Sequence, residues 1–259
     1  MKEYSNIQKS YLKNGYYIFN IDDIKKINYL RDTILKYSKN ILKLKKVNLN
    51  QSHKNIKKSF LNKFRLKIIN NINNDKKFEK NYYEISKNIL SEIVGNEIAM
   101  QNEISLSIQM PRDNSSLLPL HADSWSGNSP FEVVIWIPLV NVYSTKSMFI
   151  LKNEKLKKFN NMFSKNKIDI NTALKKLKND FTFLKINYGQ ALIFNQTLPH
   201  GNTINTTKET RWSMNCRFKS LLSPYNFKKF GEVFKPINIK PATMLGMKYN
   251  FPNKTDEKF

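Results

Sequence analysis

The spacing of apolar residues changes about 100 residues into the chain. Before that point, apolar residues recur at helical spacing from Ile24 to Leu35, directly after Asp23, and this predicts a helix with an acidic N-cap. A second helix is predicted over residues 83–94, whereas the Lys- and Asn-rich segment 40–80 has only scattered apolar positions. The N-terminal part therefore reads as mostly helical.

Later in the chain, short apolar runs and alternating patterns replace the helical spacing. Strands are predicted at residues 15–19, 103–110, 131–137, 147–151, 181–186, 190–194 and 210–221. The Lys-rich residues 152–180 predict a helical insertion between two of these strands. Many short strands without regular strand–helix alternation favour an antiparallel barrel or jelly roll.

We therefore expect a mainly β protein with a helical N-terminal part, and a cupin-like jelly-roll core flanked by helices. Residues 1–259 are predicted to form a single domain, in which 1–100 give helical support and 101–221 form the core. Residues 222–259, which contain four prolines, are expected to be a C-terminal extension.

Composition narrows the class of protein. A hydrophobic content of 40% is typical of a folded chain. There is no apolar run long enough for a transmembrane helix and no apolar segment typical of a secretory signal near the N-terminus. The single cysteine, Cys216, excludes an internal disulfide bond. These features favour a cytoplasmic protein.

The formal net charge of +24 raises the possibility of a nucleic-acid partner. Only five of the 44 basic residues are arginines, and the 39 lysines are spread along the chain with many Asn and Ile residues. AT-rich codons specify Lys, Asn and Ile, so the charge is better explained by composition than by a phosphate-binding face. Lysines near a pocket would still help to attract an anionic substrate.

One stretch of the sequence, HADSW at residues 121–125, has the chemistry of a metal site. In an extended segment residues i and i+2 point the same way, so His121 and Asp123 would present an imidazole and a carboxylate to one point. His200, near the predicted strand 190–194, is the natural third ligand. Two histidines and one carboxylate leave positions open for other ligands, as in non-haem Fe(II) oxygenases. His53 lies in a polar segment and is expected to be exposed.

A predicted hairpin would complete this site. If the chain turns near residues 206–207, His200 pairs with Ser213 and Asn202 with Arg211, and all four side chains share one face. An arginine fork binds a carboxylate in two-point geometry, and Ser213 would add a hydroxyl donor. A dicarboxylate such as 2-oxoglutarate would then chelate iron at one end and reach Arg211 at the other.

These residues, in this order, give the chain its resemblance to a known family. His121-x-Asp123, the distal His200 and Arg211-x-Ser213 resemble the motif of Fe(II)- and 2-oxoglutarate-dependent oxygenases. Residues 12–19 resemble the opening of phytanoyl-CoA dioxygenase-like members. Residues 121–151 are more similar to the 2-oxoglutarate- and iron-dependent oxygenases of sporadically distributed bacterial carbohydrate-biosynthesis clusters.

The resemblance implies a double-stranded β-helix core and an oxidation that converts 2-oxoglutarate and O₂ to succinate and CO₂. It implies iron ligation by the three motif residues and 2-oxoglutarate binding by four others: His121, Asp123 and His200 for Fe(II), and Arg211, Ser213, Gln109 and Asn202 for 2-oxoglutarate. Iron halogenases of the superfamily lack the carboxylate ligand, so Asp123 favours hydroxylation. The narrower match implies a sugar, nucleotide-sugar or glycan-precursor substrate for surface-polysaccharide biosynthesis.

Three further residues are possible substrate contacts. Trp125 would stack on a sugar ring or serve as a structural residue, and Lys146 would line the pocket or lie in a solvated turn. Arg217 shares the strand face of Arg211. Two other functions remain open: a cupin-like metal-dependent isomerase or epimerase, which would not need Arg211, and a basic nucleic-acid-binding or demethylating protein.

Overall fold

The computed structural model describes residues 3–163, 169, 172 and 175–250. Its helices are α1 (Asn6–Asn14), α2 (Ile24–Leu42), α3 (Lys58–Asn73), α4 (Lys76–Ile93), α5 (Leu156–Phe163) and α6 (Pro241–Lys248). Its strands are β1 (Tyr16–Asn20), β2 (Ile98–Gln101), β3 (Ser105–Gln109), β4 (Glu132–Pro138), β5 (Phe149–Leu151), β6 (Phe181–Phe183), β7 (Gln190–Asn195), β8 (His200–Gly201), β9 (Arg211–Ser220) and β10 (Phe234–Asn238).

The N-terminal helices begin where short acidic side chains cap them. The Asp23 carboxylate accepts a hydrogen bond from the backbone N–H of Lys25 at the start of α2. Asp75 accepts from the N–H groups of Lys77 and Phe78 at the start of α4. These caps satisfy backbone donors that would otherwise have no partner. Helices α2, α3 and α4 contact one another, and α3 also contacts β3.

Two antiparallel sheets follow. The larger sheet has the strand order β1-β7-β4-β9-β2-β10, and β3 pairs with β9 beside this path. The smaller sheet has the order β6-β5-β8. Side chains of the two sheets meet, since the ring of His200 in β8 lies 4.9 Å from that of Phe194 in β7. The site described below lies where they meet.

Alternation along β9 separates the helical layer from the site. Trp212, Met214, Cys216 and Phe218 are completely buried on one face of the strand. On this face Trp212 packs edge-on against Phe64 of α3, with ring centroids 6.0 Å apart, and Phe218 stacks with Tyr82 of α4 at 6.4 Å. The odd-numbered residues point to the opposite face, as the period of two in a strand requires.

Several predictions need correction. In the described part, helices contain more residues than strands, so "mainly β" understates the helical content. The segment 40–80, which showed no clear pattern, contains α3. Strands β2 and β10 were not predicted, and β10 joins the C-terminal extension to the large sheet. Of the predicted insertion 152–180, residues 156–163 are helical, and most of 164–174 lies outside the described residues.

The predicted hairpin register is also wrong. His200 pairs with Ile150 of β5 in the small sheet, whereas Ser213 pairs with Ser107 of β3 in the large sheet. The expectation failed because residues 202–210 cross between the sheets instead of forming a tight turn. Within the described residues, no helix is long and apolar enough to cross a membrane.

Burial of Cys216 predicts its chemical behaviour. Its side chain is fully buried on the helix-facing side of β9, and burial raises the pKa of its thiol to about 12. Because thiolate is the reactive form, we expect the native protein to resist an aromatic disulfide reagent at about pH 8, and to react fully in denaturant. The sequence has only this cysteine, so the absorbance change reports on it alone. Rapid labelling of the native chain would mean that this face of β9 is open to solvent.

Candidate metal and ligand site

Two histidines from distant segments are joined through their backbones. The N–H of His121 donates to the carbonyl of His200 at 2.9 Å, and the N–H of His200 donates back to His121 at 2.8 Å. Ala122, the residue after His121, is buried and extended, with φ −115° and ψ 136°. His121 and Asp123 therefore project from one side of the chain, as predicted from their spacing.

Each imidazole is oriented by a carbonyl group two residues upstream. The Nδ1–H of His121 donates to the Pro119 carbonyl at 2.8 Å, and that of His200 donates to Leu198 at 2.9 Å. A hydrogen on Nδ1 leaves the lone pair on Nε2, which is the atom available to a metal. Burial lowers the pKa of His200 to about 4, so its ring is neutral near pH 7.

The three potential ligand atoms come together. One atom each from His121, Asp123 and His200 lies within 4.8 Å of the other two, which leaves room for a single ion between them. The two imidazole rings have centroids 4.3 Å apart. Among the described residues, no other group of three or more His, Cys, Asp or Glu side chains has this arrangement.

Arg217 balances the charge of the carboxylate. Its guanidinium lies 3.1 Å from Asp123 Oδ1, and a second nitrogen donates to the side chain of Gln101 at 3.1 Å. His121 Nε2 is 3.6 Å from the same Asp123 oxygen. Arg217 thus lies beside the triad, next to the carboxylate of Asp123. The sequence predicts that Arg217 shares a strand face with Arg211.

Gly201 makes the approach of the two histidine segments possible. A Cβ atom at this position would lie 2.8 Å from Cζ of Phe149 and 2.9 Å from the carbonyl oxygen of Leu118. Both distances are shorter than carbon–carbon and carbon–oxygen contacts allow. A residue without a side chain is therefore required next to His200, where the chain leading to His121 passes.

The C-terminal extension holds the loop that carries Asp123. Asn128 donates to the Asp123 carbonyl at 2.8 Å, and Lys228 donates to the Asn128 side chain at 2.8 Å. The Ser129 hydroxyl donates to the carbonyl of Pro224 at 2.7 Å. The residues after β9 thus cover the outside of the ligand loop.

A cavity of about 450 Å³ opens in front of the triad. His121, Asp123, His200 and Arg217 line its inner part. Three segments and three single residues supply the remaining lining. They are Lys58, Leu61, Asn62 and Arg65 of α3; Ser105, Leu106, Ser107 and Ile108 of β3; Ser115, Ser116, Leu117 and Leu118 of segment 115–118; and Val134, Phe194 and Asn215. Its size is in the range that holds a small organic ligand.

Arg211 lies next to this cavity with no acidic partner among the described residues. It is buried, and one terminal nitrogen donates to the hydroxyl of Ser107 at 3.1 Å. Its Nε and the hydroxyl of Ser213 are buried without a hydrogen-bond partner. Burial lowers the pKa of Arg211 to about 10, which still leaves a cation near pH 7. A buried, unpaired guanidinium is costly and marks a place where an anion would be stabilised.

The other two predicted 2-oxoglutarate contacts already have backbone partners. Gln109 pairs with Arg211 across β3 and β9, but its amide donates to the Thr203 carbonyl at 2.6 Å, and its Oε1 is buried without a partner. Asn202 accepts from the N–H of Leu118 at 2.6 Å and donates to the carbonyl of Ser116 at 3.2 Å. Asn202 therefore holds segment 116–118 in place.

Neither Trp125 nor Lys146 is part of the cavity lining. Trp125 is 43% exposed and stacks on Phe159 of α5, with ring centroids 6.0 Å apart. Lys146 is fully buried, and its ammonium group lies 2.7 Å from Glu209 and 2.9 Å from the amide oxygen of Asn50. Both residues have structural contacts that account for their positions.

The structure corrects one histidine and adds one element to the site. His53 is half-buried instead of exposed, and its Nδ1 lies 2.9 Å from the hydroxyl of Thr210. Sequence reasoning missed α3 as a cavity wall. The buried positions Leu61, Phe64, Ile68 and Ile72 have helical spacing and could have revealed this helix, but Lys and Asn residues surround them.

Comparisons by sequence gave no relative: no protein-family model matches the chain, and no curated protein does. Solved structures with a similar fold were found by comparing coordinates. A non-heme monooxygenase, the ThoJ–nickel complex, has a TM-score of 0.60 at 10% identity, covering 91% of this chain and 84% of that one.

Two further structures contain bound ligands. EctD from S. alaskensis with bound Fe has a TM-score of 0.54 at 10% identity and covers 86% of this chain and 82% of its own. HygX from Streptomyces hygroscopicus, with nickel and 2-oxoglutarate bound, has a TM-score of 0.50 at 10% identity, with 89% and 92% covered. At this identity the likeness concerns the fold alone: the chain shares its fold with a non-heme monooxygenase and with two proteins whose structures hold a metal ion.

Proposed function

We propose that the protein is a non-haem Fe(II)- and 2-oxoglutarate-dependent oxygenase. The observation that carries the proposal is that one cavity joins two features. The His121–Asp123–His200 triad lines it, and so does Ser107, whose hydroxyl accepts a hydrogen bond from the buried Arg211. A metal site and a buried unpaired cation are what a chelating dicarboxylate needs at its two ends.

The donor set fits iron(II). Two imidazoles whose Nδ1 atoms are held by carbonyl groups, so that Nε2 is available, and one carboxylate oxygen form the two-histidine, one-carboxylate set of Fe(II) oxygenases. With three protein ligands, a bound ion would keep positions for 2-oxoglutarate and O₂. Arg217 offsets part of the negative charge of Asp123 and holds its Oδ1 in place.

The unpaired groups beside the cavity fit the distal carboxylate of 2-oxoglutarate. Arg211 supplies charge and N–H donors, and the unpartnered hydroxyl of Ser213 supplies one more donor. In the arrangement described above, Gln109 presents only an oxygen without a partner, and the amide of Asn202 is used by the backbone. We therefore restrict the proposed carboxylate site to Arg211 and Ser213.

When bound, iron, 2-oxoglutarate and O₂ supply an oxidant that removes hydrogen from a C–H bond, with succinate and CO₂ as co-products. The residues of the chain hold and orient the reactants. The triad would hold the metal, and Arg211 and Ser213 would hold and orient the cosubstrate. Because Asp123 is present as a carboxylate ligand, we propose hydroxylation as the reaction.

We also propose that the two facing sheets form a double-stranded β-helix within a single domain. One hydrophobic cluster supports this proposal, since it includes Ile27 of α2, Phe64 of α3 and Phe218 of β9. On the sequence resemblance, we propose a cytoplasmic enzyme that acts on a sugar, nucleotide-sugar or glycan precursor. The serine and asparagine side chains that line the cavity suit a hydroxylated substrate.

The first prediction concerns the metal. We expect His200→Ala to abolish tight binding of Co(II), followed by calorimetry, because it removes one of three ligands. His53→Ala is the matched control, since it removes the one histidine outside the triad and should leave the affinity within about twofold. Equal binding by wild type and His200→Ala would place the metal elsewhere.

The second prediction concerns 2-oxoglutarate. Anaerobic Fe(II) and 2-oxoglutarate should give the wild-type protein a weak metal-to-ligand charge-transfer band. Titration of this band gives the affinity for 2-oxoglutarate. Arg211→Gln should weaken that affinity by about 2 kcal/mol or more, roughly thirtyfold, because one end of the dicarboxylate loses a charged partner.

Arg31→Gln is the control for that change. Arg31, on α2, lies over the ring of Tyr188. It is not a lining residue of the cavity, so Arg31→Gln removes the same charge and leaves the cavity lining unchanged. Absence of the band in wild type, or an undiminished band in Asp123→Ala, would contradict the proposed function. An Arg211→Gln protein that binds 2-oxoglutarate normally would contradict the role of Arg211 at the distal carboxylate, and an activity that survives the loss of Arg211 would favour the isomerase alternative.

A further inference from the structure

The cavity has one wall that the proposed chemistry does not use. Helix α3 contributes Lys58, Leu61, Asn62 and Arg65 to the lining, and none of these residues is assigned to iron or 2-oxoglutarate. Given the proposed function, on which this inference rests, the space beside α3 is where the primary substrate would lie. The charges on this wall therefore bear on the chemical class of that substrate.

Charges around the cavity are balanced at two positions and unbalanced at a third. Lys58 lies 3.7 Å from the buried carboxylate of Asp113, and Arg217 lies 3.1 Å from Asp123. Arg65 has no carboxylate within ion-pair distance among the described residues. The α3 wall thus carries a positive charge with no protein counter-charge.

Arg65 is held in place by uncharged groups. One terminal nitrogen donates to the side-chain oxygen of Asn62 at 2.9 Å, and the other donates to the backbone carbonyl of Leu106 at 3.4 Å. These contacts fix the half-buried guanidinium between α3 and β3 and use two of its five N–H donors. A fixed fork with remaining donors binds an oxyanion at low entropic cost.

The groups beside Arg65 are hydroxyls and amides. Ser105 and Ser107 flank Leu106 on β3, and Asn62 lies one turn before Arg65 on α3. Such groups donate hydrogen bonds to phosphate or carboxylate oxygens and to the hydroxyls of a polyol. No aspartate or glutamate other than Asp123 is among the residues that line the cavity.

We propose that the primary substrate is an anionic, hydroxylated molecule, and that Arg65 binds its phosphate or carboxylate group at the α3 wall while the rest of the molecule reaches toward the metal. Within the substrates considered above, this favours sugar phosphates, nucleotide sugars and uronic acids over neutral sugars. Arg65 is thus a specificity-determining residue that acts on substrate, and among the described residues its hydrogen bonds go to Asn62 and Leu106, not to the proposed metal ligands or Arg211.

The test uses the anaerobic Fe(II)–2-oxoglutarate complex of the full chain. Glucose 1-phosphate, UDP-glucose, glucuronate and neutral glucose are each titrated in, and the shift of the charge-transfer band is followed. We expect at least one anionic probe to shift the band with a Kd below roughly 10 mM, and glucose to have no effect. Comparing the responses to glucose 1-phosphate, UDP-glucose and glucuronate shows whether the bound anion belongs to a sugar phosphate, a nucleotide sugar or a uronic acid.

Variants connect the binding to Arg65. Arg65→Gln should weaken binding of the responsive anion roughly tenfold, and Arg65→Lys, which keeps the charge but lacks the fork, should weaken it less than Arg65→Gln does. Lys67→Gln removes a charge from an exposed position two residues away on the same helix and should change the affinity less than about twofold. A purely structural Arg65 would lower the melting temperature without separating anionic from neutral probes.

The outcomes distinguish this inference from the proposed function. Loss of the band in all proteins would contradict the oxygenase assignment itself. A normal band with no response to any anion below roughly 10 mM, an equal response to glucose, or an anion affinity unchanged in Arg65→Gln would overturn the anionic-substrate proposal alone.

Discussion

The period of two along β9 is the constraint on which the rest of the molecule depends. Its even-numbered residues, among them Trp212 and Phe218, fill the contact with α3 and α4. Its odd-numbered residues include Arg211 and Arg217, which face the cavity side. A slip of one residue would put a guanidinium against the helices and an indole against the triad. Since a buried unpaired charge costs several kcal/mol, the register of this strand is fixed by the same residues that form the site.

The triad of His121, Asp123 and His200 depends on this strand indirectly. Asp123 comes from a loop that the C-terminal extension covers, and His200 belongs to the small sheet. What brings them together is a backbone pair between His121 and His200, and an ion pair between Asp123 and Arg217. The site therefore lies between the sheets, and it is stabilised by backbone hydrogen bonds as much as by side-chain contacts.

Much of the site was predictable because its signals are local. The His-x-Asp spacing works through one extended residue, Ala122. The apolar run of β4 and the alternation along β9 are long enough to be recognised as strands. The pairing of His200 was not predictable in this way, since the turn near residue 206 gives no sign that the chain changes sheet. The role of α3 was missed because Lys and Asn residues dilute its apolar positions. Local sequence patterns do not predict the pairing of strands that are distant in the chain, and they fail for a helix whose apolar positions are surrounded by Lys and Asn.

The contact at Gly201 has a consequence for how such a protein can change. Gly201 has no side chain that could take part in chemistry, yet an added methyl group would lie 2.9 Å from the carbonyl oxygen of Leu118 and 3.1 Å from that of Pro119. We therefore expect a substitution to separate segment 118–119 from β8 and to disturb the backbone pair of His121 and His200. Helix α3, in contrast, contributes to the cavity without any contact to the triad. Substitutions at the cavity-lining positions of α3 can therefore change substrate preference. Position 201, next to His200, tolerates almost no substitution. Laboratory evolution of new specificities has most freedom on α3 and least at a glycine that performs no chemistry.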